Sequence, residues 1–171
     1  MRRMYRAIRQ ARPDAWLAAV LVACIFAGGS ERRSTSADDP AKAADVVQVR
    51  SAATGVEADG QQRVRLALDI AAGWHLYANP VDNDQLAGSV TVVKFRSGDR
   101  DVEARIEYPA GADAYESGIG AYKVYQGQVT IMATVKRTDA SVPLTAHIAV
   151  QACNDKKMTC LPPATLVVPL P

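Results

Sequence analysis

Apolar and polar residues alternate in short stretches along the chain from residue 46 onward. The clearest stretch is Arg63–Ile70, where Val64, Leu66, Leu68 and Ile70 fall on one face. Alternation with a period of two residues is typical of a β-strand that buries one face and exposes the other. This stretch therefore predicts a half-buried strand within a sheet.

Further strands are predicted along the same part of the chain, and no window there shows a helical period. They lie at Val46–Arg50, Trp74–Tyr77, Val90–Phe95, Val102–Tyr108, Tyr122–Tyr125, Val129–Val135, Leu144–Gln151 and Leu166–Val168. The segments Asp82–Ser89 and Ala112–Gly120 are predicted as loops. Short strands joined by Gly, Pro, Asn and Asp are typical of an all-β fold, either an antiparallel sandwich or a barrel.

The first 29 residues have the pattern of an export signal. A basic segment, Met1–Arg12, precedes an apolar run, Ala15–Ala27, which is too short to span a bilayer comfortably. The alternative interpretation is a permanent N-terminal anchor. Within the run, Leu21-Val22-Ala23-Cys24 resembles the bacterial lipobox, so Cys24 is a possible lipidation site; the alternative is an ordinary signal peptide.

The next segment, residues 30–45, is rich in Ser, Ala, Asp and Arg and is predicted to be a flexible linker. The folded domain is predicted to cover residues 46–171. If Cys24 is lipidated, this linker would hold the domain away from the membrane, which it would then contact only through the lipid anchor. Localisation is therefore expected to be exported, either periplasmic or tethered on the periplasmic side of the membrane.

Composition fits a soluble globular domain: 49% of residues are hydrophobic and 22% are charged. The chain carries a formal net charge of +2, but residues 1–29 hold five arginines and one aspartate, so the rest sums to about −2. The basic character belongs to the predicted signal. The sequence therefore implies no basic surface of the kind that binds nucleic acid.

Two cysteines close to the C-terminus are the strongest chemical signal. Cys153 and Cys160 bracket six residues, an apolar strand precedes them, and Pro162-Pro163 follows. This pattern predicts an antiparallel hairpin with a cysteine on each arm, at about the 5.5 Å Cα separation that suits a disulfide. The prolines lack backbone donors, so the second arm is predicted to be an edge strand that another protein can approach.

The residues alone leave three roles open for this cysteine pair. An exported β-domain often uses such a disulfide as a structural brace, which would make the domain a non-catalytic binding module. Lys156 and Lys157 between the cysteines favour thiolate and hence a redox centre. A Cu(I)-handling or zinc site could instead be formed by soft ligands: His147, Cys153, Met158 and Cys160.

The region from Val56 to Leu170 resembles the periplasmic N-terminal domain of DsbD, a bacterial thiol–disulfide interchange protein. Three segments carry the resemblance. The first is Cys153–Thr165 with the following Val167–Leu170, which looks like the family's active-site hairpin; the others are Gly73–Tyr77 and Gly120–Tyr125.

The resemblance implies an immunoglobulin-like antiparallel β-sandwich that passes electrons without a metal or organic cofactor. Cys153 and Cys160 would be the catalytic redox pair, with Cys153 the expected attacking thiol. A membrane electron-donor protein would reduce the pair, and thioredoxin-like periplasmic proteins would receive the electrons. The expected site-lining residues are His75, Tyr77, Tyr115, Glu116, Ile119, Lys156, Lys157, Pro162 and Pro163.

Three features depart from the family pattern. The spacer between the cysteines is one residue longer than the family's. The region expected to cap the sulfurs, Tyr115–Gly120, lacks the family's phenylalanine, and Ile119 or Tyr115 is expected to replace it. The chain also ends at Pro171, without the family's membrane and thioredoxin-like domains, so a stand-alone domain with a separate electron donor is expected.

Overall fold

The computed structural model describes residues 42–170. The predicted export signal, the possible lipidation site Cys24 and most of the predicted linker lie outside this range. Of the linker residues inside it, Ala43–Asp45 forms a short 3-10 helix, and Ala43 is fully buried in the core. The packed unit thus includes residues that precede the predicted domain start at Val46.

Residues 42–170 form thirteen short β-strands. They are β1 (Val47–Ala53), β2 (Gln61–Ile70), β3 (His75–Tyr77), β4 (Val92–Ser97), β5 (Arg100–Val102), β6 (Ala104–Glu107), β7 (Ala112–Glu116), β8 (Gly120–Tyr125), β9 (Gln128–Lys136), β10 (Leu144–Val150), β11 (Ala152–Asn154), β12 (Thr159–Cys160) and β13 (Ala164–Pro169). A second 3-10 helix, Asp84–Ser89, lies between β3 and β4. No helix in this part of the chain is long and apolar enough to cross a membrane.

The strands form three antiparallel sheets. The first sheet has the order β1-β2-β9-β6, the second has β13-β10-β4-β5, and the third has β12-β11-β3-β8-β7. All ten ladders between named strands are antiparallel. The all-β, immunoglobulin-like antiparallel sandwich expected from the sequence is confirmed.

The first and second sheets supply most of the hydrophobic core. The predicted alternation of β2 is confirmed, because Val64, Leu66, Leu68 and Ile70 are at most 3% exposed. Phe95 of β4 and four residues of β10 join them in one cluster. The third sheet carries a smaller cluster of its own: Tyr77, Val81, Tyr122, Val124 and Cys153.

Two sequence predictions about individual elements are wrong. Val102–Tyr108 was predicted as one strand, but its residues belong to β5 of the second sheet and β6 of the first, so the chain changes sheets at Glu103. The alternation of apolar and polar residues continues through Glu103, so the sequence pattern does not reveal the change of sheets. Ala112–Gly120 was predicted as a loop, but β7 pairs with β8 along it, from Ala112 opposite Val124 to Glu116 opposite Gly120.

Candidate functional site

The two cysteines form a disulfide within a hairpin at the edge of the third sheet. Cys153 on β11 lies directly opposite Cys160 on β12, which is the outermost strand, so the predicted hairpin and its edge position are confirmed. Their Cα atoms are 4.0 Å apart, closer than expected. Leu161 N donates to Ala152 O at 2.8 Å, so the cysteines occupy the narrow, non-hydrogen-bonded pair beside that bond.

The turn that joins the cysteines is held by Asn154, which sequence reasoning missed. Its Oδ1 accepts a hydrogen bond of 3.0 Å from Lys157 N, and Asn154 itself is only 7% exposed. The last turn residue, Met158, has a φ of +48° and leaves its side chain 83% exposed. Asparagine often forms such a local turn, which is the signal that could have identified it.

The two cysteines differ sharply in exposure. Cys153 is 3% exposed, whereas Cys160 is an exposed residue. An incoming thiolate must approach a sulfur in line with the disulfide bond, so accessibility decides which sulfur reacts. The expectation from the sequence that Cys153 is the attacking thiol stays a prediction.

Strand β3 forms the wall behind the disulfide with His75 and Tyr77. The register places His75 directly opposite Cys153. The Tyr77 hydroxyl lies 3.6 Å from Cys153 Sγ, and it must be the donor because a disulfide sulfur carries no proton. The His75 and Tyr77 rings meet edge-on with centroids 5.6 Å apart, and Tyr122 of β8 packs against Tyr77 at 5.9 Å.

The β7–β8 hairpin forms the opposite side of the site. Ile119, in its turn, packs against the cluster that contains Tyr77 and Cys153, whereas Tyr115 is 77% exposed. The turn can form because Gly118 and Gly120 both have a φ of +94°, which glycine adopts without strain. Asn83 fixes the turn, since its Nδ2 donates to Ile119 O and to Ala121 O, each at 3.0 Å.

Between these elements lies an open cleft of about 490 Å³. Four of the predicted site-lining residues line it together with both cysteines: His75, Tyr77, Tyr115 and Glu116. Ile119 packs beneath it, while Lys156, Lys157, Pro162 and Pro163 are exposed but do not line it. Sequence reasoning missed other lining residues, among them Asp113, Tyr122, Asn154 and Asp155.

The cleft has a negative electrostatic environment. Burial raises the pKa of the Tyr77 hydroxyl, and the carboxylates of Glu116 and Asp155 raise it further. The pKa of Tyr122 is raised by the same causes, with a contribution from Tyr77. Both hydroxyls therefore keep their protons at neutral pH and remain able to donate hydrogen bonds in the cleft.

The histidine of the metal interpretation lies elsewhere. His147 is on β10 of the second sheet, opposite Val167 and Lys94, and its Nε2 is 3.2 Å from Thr145 Oγ1. Within residues 42–170, no group of three or more His, Cys, Asp or Glu side chains is arranged to hold a metal ion. Met158 does line the cleft with the two cysteines.

Comparison with known proteins identifies a family whose model matches this chain. A family model described as "Thiol:disulfide interchange protein DsbD, N-terminal" matches residues 43–171. The DsbD N-terminal domain of Neisseria meningitidis, in its reduced form, is 18% identical with a TM-score of 0.50, covering 74% of this chain and 85% of that one. No curated protein matches the sequence.

Two further solved structures are similar. The N-terminal periplasmic domain of ScsB from Proteus mirabilis is 19% identical with a TM-score of 0.54; the match covers 72% of this chain and 46% of that one. A DsbD N-terminal domain from N. meningitidis, in a complex with the PilB N-terminal domain, is 19% identical with a TM-score of 0.47, covering 72% and 80%. At such identities the structural likeness concerns the fold.

Proposed function

The chain belongs to the family of DsbD N-terminal domains, and on that premise we propose that its cysteine pair relays reducing equivalents to thioredoxin-like proteins of the periplasm. The chain is a thiol–disulfide interchange domain carrying a Cys153–Cys160 disulfide. The proposal adds the direction of electron flow, the class of client and a membrane protein as the electron donor.

The observation that carries the proposal is the unequal exposure of the two cysteines. Cys160 is exposed on an edge strand beside an open cleft, whereas Cys153 is buried behind it. A brace would gain nothing from an approachable sulfur, but exchange requires one. We therefore assign the sulfur of Cys160, rather than that of Cys153, as the atom that partners attack.

The reductive half of the cycle follows from this assignment. A thiolate of the donor attacks Cys160 Sγ, the bond between the two cysteine sulfurs breaks, and Cys153 leaves as a thiolate. The Tyr77 hydroxyl, 3.6 Å from Cys153 Sγ, is placed to donate a hydrogen bond to this leaving sulfur. The donor's second thiol then releases Cys160, so the donor ends as a disulfide and this domain as a dithiol.

The second half of the cycle reverses these roles on a client. The Cys160 thiolate attacks the client disulfide, and Cys153 then attacks Cys160 Sγ to release the reduced client. Two electrons pass to the client and the Cys153–Cys160 disulfide is restored. The predicted export signal and the family support a periplasmic location for this chemistry.

Trapping with single-cysteine variants tests the proposal. Cys153→Ser keeps the exposed sulfur but cannot resolve a mixed disulfide, so it should hold thioredoxin-like proteins covalently in the native host. Cys160→Ser is the matched control and should trap little, because its remaining thiol is buried. A Cys153→Ser variant that traps nothing would favour the non-catalytic binding module, and trapping only by Cys160→Ser would reverse the assignment of the two sulfurs.

A further inference from the structure

A buried histidine lies next to the disulfide in the third sheet. The side chain of His75 is only 3% exposed. Because Cys160 is opposite Cys153 and Cys153 is opposite His75, the three residues form a row across the neighbouring strands β12, β11 and β3. Residues directly opposite each other on antiparallel strands point to the same face of the sheet, with Cβ atoms about 5 Å apart.

The two ring nitrogens of His75 have different surroundings. Nδ1 lies 3.3 Å from Asp155 Oδ1, in the turn between the cysteines. A carboxylate at this distance favours the tautomer with its proton on Nδ1, and we assign the neutral ring in that way. Nε2 is then a bare acceptor, and it is buried without a hydrogen-bond partner among residues 42–170.

An unpaired buried acceptor destabilises the state that contains it. In the disulfide form, neither cysteine sulfur carries a proton that it could donate. Reduction changes this, since the neighbouring Cys153 sulfur then becomes a thiol with a proton to share. The register places this new thiol on the residue directly opposite the one that carries the unpaired imidazole nitrogen.

We propose that Nε2 of His75 accepts a hydrogen bond from the Cys153 thiol once the disulfide is reduced, and that this contact makes the disulfide easier to reduce. The inference deepens the proposed function and rests on it. Two electrons and two protons convert the disulfide into two thiols, while a donor dithiol is oxidised to a disulfide. The reduced form gains a hydrogen bond that the oxidised form lacks, so the equilibrium shifts toward the dithiol.

The electrostatic surroundings of His75 fit an acceptor role. Burial lowers the pKa of the imidazole, and the charges of Asp155 and Glu116 oppose that effect without cancelling it. The ring is therefore neutral at neutral pH and keeps a lone pair on one nitrogen. The titratable groups that face it are Asp155 of the cysteine turn, Glu116 of β7 and Tyr77 of its own strand.

Redox equilibrium with glutathione tests the proposal through His75→Phe. Phenylalanine fills a similar volume but cannot accept the hydrogen bond. The equilibrium constant for reduction should fall about tenfold, which corresponds to a potential about 30 mV more negative. His147→Phe is the matched control: it is the same substitution at the other histidine, on β10, and should leave the constant unchanged. An unchanged or more positive potential in His75→Phe would overturn the proposal.

Imidazole ¹⁵N NMR on the unsubstituted protein gives a second test that does not depend on a variant folding. Reduction should shift the Nε2 resonance of His75 in the direction of an accepted hydrogen bond, while His147 stays constant as an internal reference. Identical His75 spectra in the oxidised and reduced protein would also overturn the proposal.

The two proposals fail in distinguishable ways. The glutathione equilibrium and the NMR spectra need no protein partner, so they report on His75 even if the trapping experiment yields no client. Conversely, a normal yield of trapped partners together with an unchanged potential in His75→Phe would leave the relay intact and remove only the role of the histidine.

Discussion

The first and third sheets differ in the length of their strand ladders and in the side chains that they bury. In the first sheet, β2 and β9 pair continuously from Gln61 opposite Lys136 to Asp69 opposite Gln128, and their buried side chains are apolar apart from Gln62. In the third sheet, the ladders that join β12, β11, β3 and β8 each hold two residue pairs. Strands β3 and β11 of this sheet bury two polar side chains beside the disulfide, those of His75 and Asn154.

This difference indicates a division of labour within one domain. Long ladders with alternating apolar residues provide most of the burial that stabilises the fold. The third sheet rests on that scaffold and positions a reactive disulfide, hydroxyl donors and a buried imidazole. If the division is correct, substitutions in the third sheet should change redox chemistry more than stability, and substitutions in the first sheet should do the reverse.

The largest effect is expected from Cys160→Ser. Exchange with any protein disulfide should be lost completely, because the exposed sulfur is gone. The free energy of unfolding should fall by only about 2–3 kcal/mol, the loop-closure contribution of so short a disulfide loop. Client reduction and chemical denaturation measure the two quantities. A variant that fails to fold would show that the disulfide is a structural brace and that the third sheet is also needed for stability.

The next largest effect is expected from Leu66→Ala in β2. Leu66 is fully buried, so the substitution should lower the free energy of unfolding by about 2–5 kcal/mol. The equilibrium constant with glutathione should stay within about twofold of the unsubstituted value, since Leu66 belongs neither to the cysteine hairpin nor to the lining of the cleft. A large change in potential would mean that the two sheets are energetically coupled.

The regular scaffold was the more predictable of these two regions. The alternation of β2 identified its buried face because Val64, Leu66, Leu68 and Ile70 all lie on one side of the strand. The prediction failed at Glu103, where the chain changes sheets while the alternation continues. It failed again at Ala112–Glu116, whose Ala, Asp and Glu residues have low strand propensity and form β7 through pairing with β8.

The site was predictable only in outline. The cysteine spacing and the prolines identified the hairpin, and the family resemblance pointed to His75 and Tyr77, which line the cleft. The unequal exposure of the cysteines could not be predicted, because it depends on how β11 packs on β3. Tyr122 and Asp155 were missed for the same reason, since strand pairing and turn geometry bring them to the cleft.

A smaller effect is expected from Tyr77→Phe in β3 of the third sheet. It removes the hydroxyl 3.6 Å from Cys153 Sγ and so a hydrogen bond to the leaving thiolate. Exchange should slow about tenfold, as expected for loss of a charge-assisted bond worth about 1.5 kcal/mol. Tyr108→Phe is the control, because its hydroxyl contacts Val93 N instead. Equal rates in both variants would exclude the assigned role of Tyr77.

The smallest effect is a dependence of stability on pH that originates at His75. Burial lowers its pKa below the ordinary value of 6.5, so the unfolded chain binds a proton more readily than the folded domain. Stability should therefore be fully present above pH 6.5 and fall as the pH drops from there toward the folded pKa. Denaturation midpoints measured across this range should vary less in His75→Phe. An equal dependence of the denaturation midpoint on pH in both proteins would contradict the assignment of this effect to His75.

The most direct test of the exchange chemistry is to identify which cysteine forms the first mixed disulfide. The oxidised protein is treated briefly with glutathione, free thiols are blocked, and trypsin cuts at Lys156 and Lys157, which separates the two cysteines into different peptides. The assignment of Cys160 as the attacked residue predicts that mass spectrometry finds the glutathione adduct on the peptide that contains Cys160. An adduct found mainly on Cys153, or no adduct under conditions that modify reactive disulfides, would contradict it.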